Sequence, residues 1–212
     1  MKYTACLSLL LTIANLIRSG LPAYAQSSQS QARTVSGHSL LSASQKKSLK
    51  ALGIRIAIPQ YVPQGFRVVT IKTEPCPVGA SVDTNGVCRF RPSYVVLYRN
   101  AQNHCFAVNA IGGGIGGPDG RYNRAINTKI LGRVDVNIDI SRGAASEPIT
   151  EAIAKTPQKY LWNFPAGKSP FYQVATIEGK ANWISPTITY STEAHMTPNE
   201  FIKIVQSLDW LS

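Results

Sequence analysis

Acidic side chains are scarce in this 212-residue chain: 11 Asp and Glu stand against 22 Lys and Arg, for a formal charge of +11. Histidine is scarcer still. His38, His104 and His195 stand alone, so no pair has metal-ligand spacing, and no C-x-x-C occurs. His104 and Cys105 are adjacent along a strand-like segment and face opposite ways, which excludes a Cys–His dyad between them. G-x-S-x-G and G-K-[ST] are absent, removing the common serine-hydrolase elbow and the phosphate-binding P-loop. A long apolar run is also missing. The longest such stretch, Ala5–Ile17, is interrupted by Asn15 and falls short of the about 20 residues that span a bilayer.

That short stretch has its own meaning. Lys2 precedes it, Gly20 and Pro22 follow, and Ala23-Tyr24-Ala25 offers a small-x-small cleavage site before Gln26. The pattern predicts a secretory signal peptide over residues 1–25 and a mature protein that is periplasmic or secreted, not integral to the membrane. Losing Lys2 and Arg18 lowers the charge from +11 to +9. The excess suits anionic lipid, acidic glycan or an acidic envelope protein as partner, and export argues against nucleic acid. Its sources are scattered: Lys46, Lys47, Lys50 and Arg55; Arg89 and Arg91, read on one strand face; then Arg121, Arg124, Lys129 and Arg133.

Cleavage leaves Cys76, Cys88 and Cys105 in an oxidising compartment. Cys76 and Cys88 bracket the turn formers Gly79, Asp83, Asn85 and Gly86, so we expect this pair over the two that use Cys105. Cys105, inside an apolar strand, reads as a buried thiol.

Residues 26–42, rich in Ser and Gln, read as a disordered tail, and 43–212 as a single domain. Ser42-x-x-Gln45 is a capping box for a short N-terminal helix ending at Gly53. Period-two alternation then takes over. Val69, Ile71 and Thr73 fall on one side of a strand. Tyr94, Val96 and Tyr98 oppose Val95, Leu97 and Arg99, and Cys105–Ile111 follows. Val134, Val136 and Ile138 alternate with Arg133, Asp135 and Asn137, and Tyr160–Phe164, Phe171–Ile177 and Trp183–Tyr190 complete the set. Short Gly, Pro and Asn connections favour an antiparallel meander over βαβ units. Thr197, Pro198 and Glu200 open a C-terminal helix with an apolar stripe of Phe201, Ile204, Val205, Leu208 and Leu211. The predicted class is α+β: a curved antiparallel sheet of about six to eight strands packed against that helix.

Three features invite chemistry. Gly112, Gly114 and Gly117 spell G-x-G-x-x-G, but Pro118-Asp119-Gly120 follows where a helix N-terminus is required, so the string reads as a connection between strands. Gly114 and Gly116 beside Arg121 and Arg124 form at most an anion-binding nest. Asp135, Asn137 and Asp139 share a strand face without the Gly and Glu of a calcium loop, and read as a solvated face. Tyr160, Trp162, Phe171 and Trp183 read as core aromatics, with a ligand cleft as the alternative if the sheet curves away from its helix. No catalytic, cofactor-binding or metal-ligating set stands out.

Tyr61-Val62-Pro63-Gln64-Gly65-Phe66 resembles the Y-x-P-x-G-F opening of a group of exported bacterial domains of unknown function. It also resembles the C-terminal domain of periplasmic regulators that restrain an envelope-stress anti-sigma factor. Tyr94–Val108 is similar to the paired strands of that group, and Thr197–Leu208 to its closing helix. The resemblance implies a half-open sheet, more distantly related to lipoprotein-carrier folds, used for binding or sensing. The Cys76–Cys88 stretch and the glycine loop depart from that pattern. Three functions compete: a non-enzymatic envelope module for an amphiphilic or anionic ligand, an assembly factor binding a protein partner, and an envelope hydrolase with carboxylates drawn from distant segments.

Overall fold

Helix ends are the most local signals in the chain, and both predicted capping boxes form. In a computed structural model describing residues 36–112, 120–138, 147–164, 169–177 and 196–212, helix α1 spans Ala43–Lys50. The Ser42 hydroxyl accepts from the Gln45 amide at 3.2 Å, and the Gln45 side chain accepts from the Ser42 amide at 2.8 Å. At the other end, α3 (Pro198–Gln206) starts on the equivalent Thr197–Glu200 pair. The predicted signal peptide, most of the predicted tail, Gly114, Gly116, Trp183 and the strand expected at Trp183–Tyr190 lie outside the described residues.

Between the helices run β1 (Ala57–Pro59), β2 (Arg67–Glu74), β3 (Ser93–Arg99), β4 (Cys105–Ile111), β5 (Tyr122–Thr128), β6 (Gly132–Ile138), β7 (Glu147–Pro148), the one-turn helix α2 (Glu151–Lys155), β8 (Leu161–Asn163) and β9 (Phe171–Thr176). β10 (Leu208–Trp210) follows α3. Eight strands form one open sheet in the order β2-β3-β4-β9-β8-β6-β5-β7, and β1 and β10 form a separate antiparallel pair. The class is α+β, as predicted. Only β2-β3-β4 is a meander, because β4 pairs with β9 rather than with the next strand in sequence. β7 runs parallel to β5, the one exception among the described pairings.

The main core lies between one sheet face and the helices. Tyr94, Val96, Tyr98, Phe106, Val108 and Val136 belong to one buried cluster with Phe201, Ile204 and Val205 of α3. Each such side chain contributes about 1.5–3 kcal/mol by burial. Tyr98 stacks on Phe106 with ring centroids 4.6 Å apart.

Several local expectations change for physical reasons. A bulge between Val68 and Thr70 breaks the alternation in β2, so Ile71 joins the main core while Val69 packs on the opposite face. Helix α3 stops at Ser207, because the chain then pairs with the buried β1, so Leu208 belongs to a strand and Leu211 follows it. Arg89 and Arg91 sit in and beside a tight turn closed by the Cys88–Arg91 bridge rather than on a strand. Structure also begins within the stretch read as tail. A 3₁₀ turn spans Gly37–Leu40, Leu41 is buried, and Gly37 lies so close to Pro59 that a Cβ would stand 2.2 Å from its carbonyl oxygen.

Candidate functional site

The sheet face away from α3 has a different composition from the core face. Register places Thr70, Leu97, Ala107, Ala175, Trp162, Asn137 and Asn123 in one line across seven strands. Directly opposed residues on neighbouring strands point the same way. The line therefore has an apolar middle, narrow at the two alanines, with a threonine at one end and two amides at the other. Val95, Leu97, Cys105, Ala107 and Ile177 form a second buried cluster on this face.

The next line is Lys72, Val95, Asn109 and Gln173, and beyond it lie Glu74, Ser93, Ile111 and Phe171. All of these but Phe171 border a cleft of about 540 Å³, walled among the described residues by Lys72, Glu74, Val95, Asn109, Ile111 and Gln173. Glu74 at its mouth is held by two cations, Lys72 at 3.3 Å and Arg91 at 3.4 Å. The charged residues of the lining are thus the Lys72–Glu74 pair, with Arg91 beside it, next to the apolar side chains of Val95 and Ile111.

The aromatic residues singled out above divide. Trp162 and Phe171 are brought to this same face by their partners Ala175 and Ile111. Trp162 is buried and its indole N–H has no hydrogen-bond partner among the described residues. Tyr160 and Phe164, at either end of β8, are 39% and 38% exposed.

Sequence reasoning missed the residues that hold β8 in place. Only Trp162 and Ala175 pair directly between β8 and β9. Side chains supply the remaining links. The Asn163 carboxamide accepts from the Val174 amide and donates to the Tyr172 carbonyl, while the Thr176 hydroxyl accepts from the Leu161 amide at 2.8 Å. Asn163 is wholly buried. An Asn between apolar strand residues was the available signal, since a buried amide must find partners.

Cys76 and Cys88 are disulfide-bonded, with Cα atoms 6.0 Å apart, as expected. Cys105 is a buried free thiol that donates to the Asn103 carbonyl at 3.3 Å. Burial pushes its pKa up to about 11 against the lowering effect of Arg99.

The glycine string is anchored at both described ends by close approach. A Cβ on Gly112 would lie 2.2 Å from the Arg91 carbonyl oxygen, and one on Gly120 would lie 2.8 Å from the Asn137 Cβ. Packing accounts for these two glycines without a phosphate. The two arginines of the supposed nest are not held together: Arg124 donates to Asn199 at 3.4 Å and to the Ile149 carbonyl at 3.3 Å, while Arg121 lies over the Tyr122 ring.

No family model, curated protein or solved structure matches the chain. Among the described residues, no group of three His, Cys, Asp or Glu could hold a metal ion, and no helix is long and apolar enough to cross a membrane. Most described carboxylates have evident tasks. Glu74 pairs with Lys72 and Arg91, Glu151 with Lys155 and Asp209 with Lys129, while Asp83 accepts from the amides of its own turn and Glu200 caps α3.

Proposed function

We propose that this chain is an exported, non-enzymatic binding module of the bacterial envelope that takes an amphiphilic ligand on the sheet face away from α3. The observation that carries this reading is the cleft of about 540 Å³ between Lys72 and Gln173, lined by Val95 and Ile111 and by the Lys72–Glu74 pair that Arg91 joins from beside it. Its size falls within the about 300–1,000 Å³ typical of small-molecule sites. An acyl or isoprenoid tail along Val95 and Ile111, with an anionic head near Lys72 and Arg91, satisfies both parts of the lining. The leader pattern, the disulfide and the resemblance to periplasmic regulators and lipoprotein-carrier folds support the location and the binding role.

Native mass spectrometry of the mature protein isolated from envelopes tests this. The expected spectrum shows a non-covalent adduct of lipid mass that Asn109→Trp, which fills the cleft, removes without lowering the melting temperature. A ligand-free spectrum, or an adduct indifferent to that substitution, sinks the reading.

A second reading, an assembly factor engaging a protein strand, has the eight-residue β2 at the sheet edge in its favour. The Val68/Thr70 bulge and the charges of Lys72 and Glu74 are devices that blunt such an edge. A stoichiometric protein partner in the same spectrum would favour it.

A further inference from the structure

Consecutive residues of β9 face two different clefts. Gln173 lines the one described above, and Tyr172 lines a second, of about 740 Å³, on the α3 side of the sheet. Here the segment after α1, the disulfide-closed loop, the β5–β6 turn, the lead-in to β9 and the C-terminal strand converge. Its walls include Arg55, Tyr172, Trp210, Ile130, Leu131 and Pro170.

Arg55 is fixed at both ends. Its carbonyl accepts from the Tyr172 hydroxyl at 2.7 Å, and its guanidinium lies 4.0 Å over the Trp210 ring. The Tyr172 ring meets the same indole edge-on at 5.2 Å, so Trp210 is itself held in place. The nearby carboxylate is already engaged, since Asp209 accepts from Lys129 at 2.6 Å. Among the described residues Arg55 makes no ion pair, and no carboxylate lines this cleft. A stacked guanidinium keeps its N–H edge available for an oxyanion, and holding it in advance lowers the ordering cost of binding.

We propose that this second cleft binds a small organic anion, its phosphate or carboxylate on the Arg55 edge and its apolar body against Ile130, Leu131 and Pro170. The site is independent of the ligand reading for the other sheet face. It recognises charge and apolar surface together, so neither alone suffices.

Phenyl phosphate, inorganic phosphate and phenol are the probes, titrated into the mature protein with tryptophan fluorescence and calorimetry as readouts. Phenyl phosphate is expected to bind saturably, and inorganic phosphate and phenol each about tenfold more weakly or not at all. Arg55→Gln, at an exposed side chain and with the backbone bond to Tyr172 retained, is expected to weaken phenyl phosphate by about tenfold at an unchanged melting temperature. Trp210→Phe is expected to abolish most of the fluorescence response, and Asn109→Trp in the other cleft to change nothing. Unsaturable binding, equal affinity in Arg55→Gln, or loss of binding in Asn109→Trp each overturns the proposal. Only the last of these points back to the first cleft.

Discussion

The Tyr94 hydroxyl and the Ala57 backbone, 37 positions apart, exchange two hydrogen bonds: the hydroxyl accepts from the Ala57 amide at 2.9 Å and donates to its carbonyl at 3.1 Å. One side chain thereby satisfies a buried backbone unit on β1 and ties the small β1–β10 pair to the main sheet. The Tyr98 hydroxyl, two residues along the same strand, is buried with no hydrogen-bond partner among the described residues. The two tyrosines look equivalent in sequence and are energetically opposite.

Tyr94→Phe is therefore expected to destabilise by about 2–3 kcal/mol, since it leaves a buried amide and carbonyl short of a partner. Tyr98→Phe removes only an unsatisfied hydroxyl and is expected to be neutral or to stabilise by about 1 kcal/mol. Urea denaturation of both variants at neutral pH checks the pair. Equal losses would refute the distinction.

Alkaline pH should unfold this protein through its buried phenols. Burial raises Tyr94 and Tyr98 above the ordinary tyrosine value, and it pushes Tyr172 up to about 12 against the opposing effect of Arg55. An unfolded tyrosine ionises near about pH 10. Each group's contribution is fully present below that value and is lost as pH rises through the folded pKa, because only the unfolded chain can shed the proton readily. The urea midpoint should fall from about pH 10 upward, and Tyr172→Phe should flatten the part of that fall lying below its folded value.

Cysteine chemistry should separate into two behaviours. The Cys105 thiol, with its raised pKa and full burial, should resist iodoacetamide in the native state and react only after unfolding. Reducing Cys76–Cys88 opens a loop with a sequence separation of 12 and should cost up to about 3 kcal/mol of stability. Mass spectrometry after labelling, with and without reductant, counts the modified thiols. Native labelling of Cys105 in the unreduced protein contradicts its placement.

Gly112 should not tolerate even a methyl group. Its missing Cβ is replaced by the Arg91 carbonyl at 2.2 Å, backbone that cannot rotate away. Gly112→Ala is expected to cost about 1–3 kcal/mol by overpacking, measurable as a lowered denaturation midpoint. An unchanged midpoint would mean that the close approach relaxes freely.

How much of this was legible differs by residue. Ser42, Gln45, Thr197 and Glu200 announced their helices because a capping box is satisfied within four consecutive residues. Alternation in β3 and β4 was readable for a similar reason, since Val95 and Val96 occupy opposite faces by backbone geometry alone. Leu208 was misread as helical because its pairing with Pro59 comes from the far end of the domain. β5, the Val68/Thr70 bulge and the anchoring role of Asn163 likewise depend on partners that no local window contains.

Local chemistry by itself determined the α+β class, the two capped helices, the favoured disulfide and the basic surface, because each follows from residues close together in sequence or from composition. Tertiary structure alone decided which strands are neighbours, that Trp162 and Phe171 share a face with Lys72 and Gln173, and that Arg55 rests on Trp210. Those relationships are set by long-range register and by the closing of loops between distant segments. A single stretch of chain encodes the preference to be buried, but not the identity of what buries it.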